Sequence, residues 1–259
     1  METNHEVGWR KITCNQIIDC GTTPASKDHL YSQMKKKLVI LTGAGVSAES
    51  GLKTFRDSDG LWMGYDVYEV ASPQGWAKNP ALVLDFYNQR RKEVAAVLPN
   101  AAHIGIAALE ENFNVTIITQ NIDDLHERAG SKNVLHLHGE IFRMRSVKDD
   151  WSLYEIKGDI LPGDKAPDGF QLRPHVVWFG ESVPKILEAR HIMAEADLFA
   201  LVGTSLQVYP ASGLIDYLPD DSPKYIIDNN PPYIPPHHHF HVIKKSATEG
   251  VAELVDLLQ

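Results

Sequence analysis

Five short, nearly continuous apolar runs punctuate the chain: KLVILTG (37–43), NVTIITQ (114–120), NVLHLHG (133–139), DLFALVG (197–203) and PKYIIDN (223–229). Runs this short, rich in Val and Ile and without polar alternation, predict strands buried on both faces, as in a parallel sheet covered by helices. The fold class expected is therefore α/β. The runs end in or pass Gly43, Gln120, His138, Gly203 and Asp228. Open parallel sheets bind ligands outside the carboxyl ends of their strands, so these residues are candidates for a site.

Between the first two runs, NPALVLDFYNQRRKEVAAVL (79–98) carries helical periodicity, with Asn79 placed to cap it, Pro80 at its first position and Pro99 to end it. Residues 141–173 are polar, contain Gly and Pro, and show little periodicity. They read as an insertion that, with 58–98, forms a small domain beside a large one made of about 34–57, 99–140 and 174–259. Residues 1–33 show no sustained pattern, whereas MKKKLVILTGAG from Met34 resembles a natural opening of an α/β domain. Translation is expected to begin near Met34, or the extension to be a peripheral helix.

Composition narrows the function. With 259 residues, 43% of them hydrophobic, the chain can bury a full core. A formal net charge of -9 argues against a nucleic-acid partner, because non-specific phosphate binding needs clustered Lys and Arg. Lys35-Lys36-Lys37 reads as a solvated strand entrance. No apolar stretch approaches the roughly 20 residues that cross a bilayer, so no membrane partner is expected and a cytoplasmic location is the default. A monomer is compatible with the sequence. The two cysteines, Cys14 and Cys20, lie in the N-terminal stretch, outside any expected core.

Three stretches carry candidate chemistry. GAGVSAESG (43–51) follows the first run; its glycines allow a tight turn, and the helix after it is expected to aim free N–H groups at a phosphate. The acidic residue usual about 20 positions further on in dehydrogenases is missing. TQNIDDLHERAG (119–130) brings Gln120, Asn121 and Asp123 to a strand end, or else caps a short helix. VGTSLQVYPAS (202–212) repeats the strand, glycine and hydroxyl arrangement. VLHLHGE (134–140) leaves open whether His136 and His138 are a metal pair, two structural imidazoles, or one base with a neighbour. PPHHHFH (235–241), with four histidines, reads as a solvated Pro-rich loop.

Together these motifs resemble the sirtuins, NAD-dependent protein-lysine deacylases. Gly43 to Gly51, Phe55-Arg56, Gln120-Asn121-Ile122-Asp123, His138-Gly139, PHVVWFGE (174–181) and Gly203-Thr204-Ser205 stand in that family's order and approximate spacing. The resemblance implies a Rossmann-type parallel sheet, a smaller domain built from two insertions, and NAD in the cleft between them. It implies that Gly43, Ala44, Gly45 and Ala48 form the pyrophosphate turn and that Phe55 and Arg56 cover the reacting end. Asn121, Ile122 and Asp123 would line the nicotinamide pocket, with Gln120 near its ribose. Gly203, Thr204, Ser205, Asp228, Asn229 and Ala247 would surround the adenosine half. His138, directly before Gly139, matches the general base, with Asn121 and Asp123 as its catalytic companions, and His136 becomes a packed or hydrogen-bonded neighbour. In sirtuin chemistry the acyl oxygen displaces nicotinamide and a ribose hydroxyl then attacks, which needs a base such as a neutral imidazole.

The partner implied is an acylated lysine. Val177, Trp178, Phe179 and Gly180 would pair with the peptide main chain by strand addition, although a core strand is the alternative for VVWFG. Along the 79–98 helix, Arg90 falls inside the stripe of Val83, Phe86, Val94 and Val97, with Tyr87 one turn back. A guanidinium there needs an internal carboxylate or an anionic guest. Tyr-x-x-Arg is similar to the signature of sirtuins that remove succinyl and malonyl groups. The alternatives to such a deacylase are a protein mono-ADP-ribosyltransferase and a non-catalytic NAD or acyl-lysine binding module.

The family pattern breaks at one place. Most sirtuins carry two pairs of zinc-binding cysteines after the histidine, yet residues 140–175 contain none, RMRSVKDD standing at the first pair and LPGDKAPDG shortening the second. Thiolate ligation of that kind is impossible here, so packing by Trp151, Leu153, Tyr154 and Ile156 is expected to hold the insertion. Elemental analysis of the purified protein should find no stoichiometric zinc; one zinc per chain would refute this reading.

Overall fold

The computed structural model describes residues 35–53, 61–62 and 64–259, with 35–259 forming one compact unit. The N-terminal stretch, including Cys14 and Cys20, and the Phe55-Arg56 pair lie outside the described residues. All five apolar runs are strands of one parallel sheet: β1 (Lys37–Thr42), β4 (Asn114–Thr119), β5 (Val134–His136), β9 (Leu198–Val202) and β10 (Lys224–Ile227). Two short strands, β2 (Leu61–Trp62) and β3 (Tyr65–Asp66), form a separate pair. A sixth parallel strand, β11 (Phe240–Ile243), completes the order β11-β10-β9-β1-β4-β5.

The runs are unbroken because alternate side chains meet two different apolar layers. Leu38, Ile40, Ile117 and Val202 pack beneath Ala102 and Ile106 of α5 (Ala101–Ala108) and Val251 and Leu254 of α8 (Ala247–Leu258). Val39, Leu41, Phe199 and Leu201 pack against Ala189 and Met193 of α7 (Ile186–Ala194). Successive strands leave β1 first on the β4 side and then on the β9 side, so the sheet changes winding direction between β1 and β9. Thr42 is level with both Thr119 and Val202. The loops after β1, β4 and β9 therefore leave the sheet side by side at its switch point.

Before α5 and beside the sheet come α1 (Gly45–Ala48), α2 (Val67–Val70), α3 (Pro73–Lys78) and α4 (Pro80–Ala96). The α4 helix starts as expected, with the Asn79 side chain accepting from the Leu82 N–H at 3.1 Å. It ends two residues early, with Val97 extended. Pro99 disfavours helical geometry in the residue before it, and the Arg128 guanidinium, at the end of α6 (Leu125–Arg128), donates to the freed carbonyls of Val94 and Val97.

The insertion is more ordered than its sequence indicates. Here β6 (Gly139–Ser146) pairs antiparallel with β7 (Leu153–Glu155) and β8 (Leu172–Val176) in a three-stranded sheet. Tyr154 and Ile156 pack with Leu84, Ile160 and Leu172 as expected. Trp151 does not: it is 89% exposed at the turn between β6 and β7. Its place is taken by a polar anchor on α4. Buried Arg91 donates from Nε to the Ile141 carbonyl at 2.9 Å and from Nη1 to the Gly158 carbonyl at 3.1 Å and to Asn88 Oδ1 at 2.9 Å. Asn88 in turn bonds both the N–H and C=O of Ile160, each at 2.9 Å. Arg91→Met would leave these carbonyls without a donor, and should lower the unfolding free energy by about 2 kcal/mol, read from urea denaturation.

Candidate functional site

The glycines after β1 are required by the loop opposite. Gly43 N–H donates to the Val202 carbonyl at 3.1 Å and Gly45 N–H to the Gly203 carbonyl at 2.8 Å. A Cβ on Gly45 would lie 2.7 Å from Gly203 Cα, and one on Gly203, whose φ is +62°, would lie 2.4 Å from the Val46 nitrogen. The two strand-end loops thus interlock at backbone distance. This corrects the expected anion-binding helix: α1 is one turn long, and the N–H groups of Gly45, Val46 and Ser47 are already bonded to Gly203, Gly43 and Ala44. They are not free for a phosphate.

After β4 the chain lays down a polar floor. Asn121 donates from Nδ2 to the Gly43 carbonyl at 3.1 Å and to Ser47 Oγ at 3.2 Å, and Ser47 Oγ donates to Asp123 Oδ2 at 3.1 Å. Burial pushes the Asp123 carboxyl up, against the Leu125 N–H and Ser47 hydroxyl that favour its anion. Behind this floor, His103 lies 3.4 Å from Ser47 Oγ and His126 lies 3.0 Å from Thr42 Oγ1. Burial drives His103 down to about 4 and His126 well below the usual imidazole range, so both are neutral. Gln120 donates from Nε2 to Thr204 Oγ1 at 2.9 Å, linking the floor to the loop after β9.

The two histidines of VLHLHGE serve different surroundings. His138 Nδ1 lies 3.0 Å from the Gln120 carbonyl. A carbonyl only accepts, so Nδ1 carries the proton and Nε2 keeps its lone pair. Burial lowers the His138 pKa, with the carbonyl contact only partly opposing, and the ring is neutral at pH 7. His136 lies in a separate small cavity with Glu127 and Glu140. The two rings line different cavities, and each Nδ1 faces a different main-chain carbonyl. Gly139, with φ +84°, lets β8 close on this corner: a Cβ there would sit 2.1 Å from the His175 carbonyl oxygen, and Val177 N–H donates to the His138 carbonyl at 2.9 Å.

Every described candidate lines one cleft of about 840 Å³. Gly43, Ala44, Gly45 and Ala48 form one wall, Gln120, Asn121, Ile122, Asp123 and His138 the floor. Gly203, Thr204, Ser205, Asp228, Asn229 and Ala247 line it from the loops after β9 and β10 and the start of α8, and Tyr87, Arg90, Val177, Trp178, Phe179 and Gly180 from α4 and the segment after β8. Such a volume suits a sizeable ligand, and the donor set fits a dinucleotide: hydroxyls and a carboxylate where a ribose would sit, a carboxamide and a carboxylic group at the far end. Val177, Trp178 and Phe179 are not a free strand edge, because their N–H groups already bond His138 O, Glu181 Oε2 and Ala71 O. Ser47, inside the GAGVSAESG motif, escaped the sequence reading; a hydroxyl in an otherwise small, apolar turn was the available signal. Glu127 and His103 gave none.

Comparison with known proteins places this geometry. The Sir2 family profile matches residues 43–210. The chain is 52% identical over 229 residues to the NAD-dependent protein deacylase of Bacteroides thetaiotaomicron, covering 86% of this chain and 98% of that one. It superposes on a solved Sir2 homologue–NAD complex with a TM-score of 0.76 at 40% identity, over 86% of this chain and 90% of that one. A Sir2 variant bound to deacetylated p53 peptide and 3′-O-acetyl ADP-ribose gives a TM-score of 0.72 at 28% identity, over 86% of this chain and 94% of that one. With this sheet, this cleft and these matches, the chain belongs to the Sir2 family, the sirtuins.

Proposed function

We propose that the chain is an NAD-dependent protein-lysine deacylase that prefers acyl groups bearing a carboxylate, succinyl and malonyl ahead of acetyl. The observation that carries the acyl preference is a pair of unspent donors at the Tyr87 and Arg90 end of the cleft. Trp178 Nε1–H donates to the Tyr87 hydroxyl at 3.1 Å, so that oxygen is the acceptor and its own proton is left to point elsewhere. Tyr87 is fully buried, and burial raises its pKa beyond the usual phenol range, so the hydroxyl remains a donor. Arg90, one turn on, bonds Glu93 from Nη1 at 3.1 Å, but its buried Nε has no partner. A carboxylate entering between them would satisfy both, in the planar manner that suits guanidinium.

The remaining roles follow from chemistry. Bound NAD supplies an electrophilic ribose carbon and nicotinamide as leaving group, so the products are nicotinamide, O-acyl-ADP-ribose and free lysine. His138 Nε2 takes the proton of a ribose hydroxyl. Asn121 and Asp123 hold the nicotinamide carboxamide, and Gln120 faces its ribose. Thr204, Ser205, Asp228, Asn229 and Ala247 enclose the adenosine half. The substrate peptide lies along residues 177–180 and pairs with the main-chain groups left open there, since the Val177, Trp178 and Phe179 amides and the Trp178 carbonyl are committed within the protein. An unpartnered lone pair on His138 supports deacylation over a mono-ADP-ribosyltransferase or a non-catalytic sensor, neither of which needs a base at that atom.

Matched succinyl- and acetyl-lysine peptides test the reading. Wild-type kcat/KM should be higher for succinyl, and Arg90→Met should lower it about 10- to 100-fold, the worth of a charged hydrogen bond, while acetyl turnover changes little. Equal losses on both peptides would overturn the acyl preference, and lack of nicotinamide release with any acyl peptide would overturn the deacylase reading.

A further inference from the structure

His138 and His136 donate to adjacent main-chain carbonyls, those of Gln120 and Asn121. His136 Nδ1 lies 3.0 Å from the Asn121 carbonyl and Nε2 lies 2.8 Å from Glu127 Oε1. Both oxygens are pure acceptors. A neutral imidazole has one N–H, so satisfying both requires the doubly protonated ring. The side chain is 8% exposed, which leaves water little part in the arrangement. His136 also lines, with Asp123, a cavity of about 90 Å³.

We propose that His136, held as an imidazolium between Glu127 and the Asn121 carbonyl, is a positioning residue for cleavage of NAD: it clamps the peptide that presents Asn121 and sets a positive charge beside Asp123. This rests on reading the cleft as an NAD-cleaving site. The clamp has a mechanical logic, since the Gln120 and Asn121 carbonyls are consecutive and each is fixed by one imidazole. Base and nicotinamide floor are thereby held in mutual register, and small misplacements there are costly.

The surrounding groups favour the cation. Glu127 and neutral His126 face it from α6, Asp123 and Asp124 from the loop after β4, and Glu140 from β6, while Arg128 is paired with Asp124 at 3.5 Å. Ile122, Ile141 and Phe142 complete the wall. Burial opposes the charge, but the Glu127 carboxylate and the Asn121 carbonyl outweigh it and hold the His136 pKa above the ordinary value. The charged form is therefore kept to higher pH than in a free imidazole and lost as pH rises through the folded value. His138, shifted the other way, must lose its proton before it can work. One histidine sets an acid limb below pH 6.5 and the other an alkaline limb above it.

Two measurements on the full chain decide the matter. Side-chain ¹⁵N NMR of the ligand-free protein at pH 7 should show both His136 nitrogens protonated, and Glu127→Gln, a change at a partly exposed side chain, should move its midpoint to lower pH. Nicotinamide base exchange with NAD and a succinyl peptide should then show the alkaline limb of Glu127→Gln displaced to lower pH, with kcat about tenfold down at pH 7.5 and KM for the peptide unchanged. A single protonated nitrogen on His136, or a wild-type pH profile in Glu127→Gln, would overturn the proposal. Absence of exchange in the wild type is a different failure: it removes the NAD-cleaving reading, and the positioning role with it.

Discussion

A main-chain carbonyl can accept a hydrogen bond and do nothing else, and the site depends on that constraint at Gln120. Because this oxygen faces His138 Nδ1 at 3.0 Å, the ring has one tautomer, and its basic nitrogen is on the cleft side. The carbonyl is itself fixed by the sheet. Gln120 N–H donates to the Thr42 carbonyl at 3.0 Å, extending the β1–β4 ladder by one residue. The proposed base is thus tied through the β1–β4 ladder to the central parallel sheet, and loop motion cannot easily spoil it. Had the neighbouring atom been a hydroxyl, either tautomer would have been allowed.

The same sheet makes the cleft by levelling three strand ends, and the glycines show how tightly. Gly43, Gly45 and Gly203 are needed because two protein loops meet at backbone distance, with their amides bonded across the junction. A glycine-rich turn can serve a ligand's close approach or the protein's own, and here it serves the second. Dinucleotide recognition must then draw on side chains and on amides further along the wall, which is consistent with the side-chain links that join the loops, such as Gln120 to Thr204.

What the sequence disclosed follows from which physics is periodic. Strands buried on both faces leave unbroken apolar runs, so the central five were legible with ends within three residues. The three-stranded insertion was not, because its strand β6, GEIFRMRS, buries Arg145 and leaves Phe142 only half-buried. Its order comes from Asn88 and Arg91, whose partners are 50 to 72 residues away. Trp151 misled for the related reason that size and apolarity say nothing about which side of a hairpin turn a residue takes. At the site, motifs quoted as contiguous strings were visible; Ser47, His103 and Glu127 work through partners 76, 56 and 9 positions off and carry no local mark.

Arg90 and Arg91 show why neighbouring like charges on a helix need not share a role. Positions 84, 88 and 91 form one stripe and 87, 90 and 94 the next, separated by roughly a quarter turn at 3.6 residues per turn. The first stripe grips the insertion through Leu84, Asn88 and Arg91, and the second faces the cleft through Tyr87, Arg90 and Val94. A helix buried along two stripes has little amphipathic contrast, so periodicity flagged its existence and not its allegiance. Because one rigid rod carries both sets, any shift of the insertion moves Tyr87 and Arg90 with it. The polar anchor at Asn88 and Arg91 therefore does more than stabilise the small domain, since it fixes where the end of the cleft assigned to the acyl group lies relative to His138.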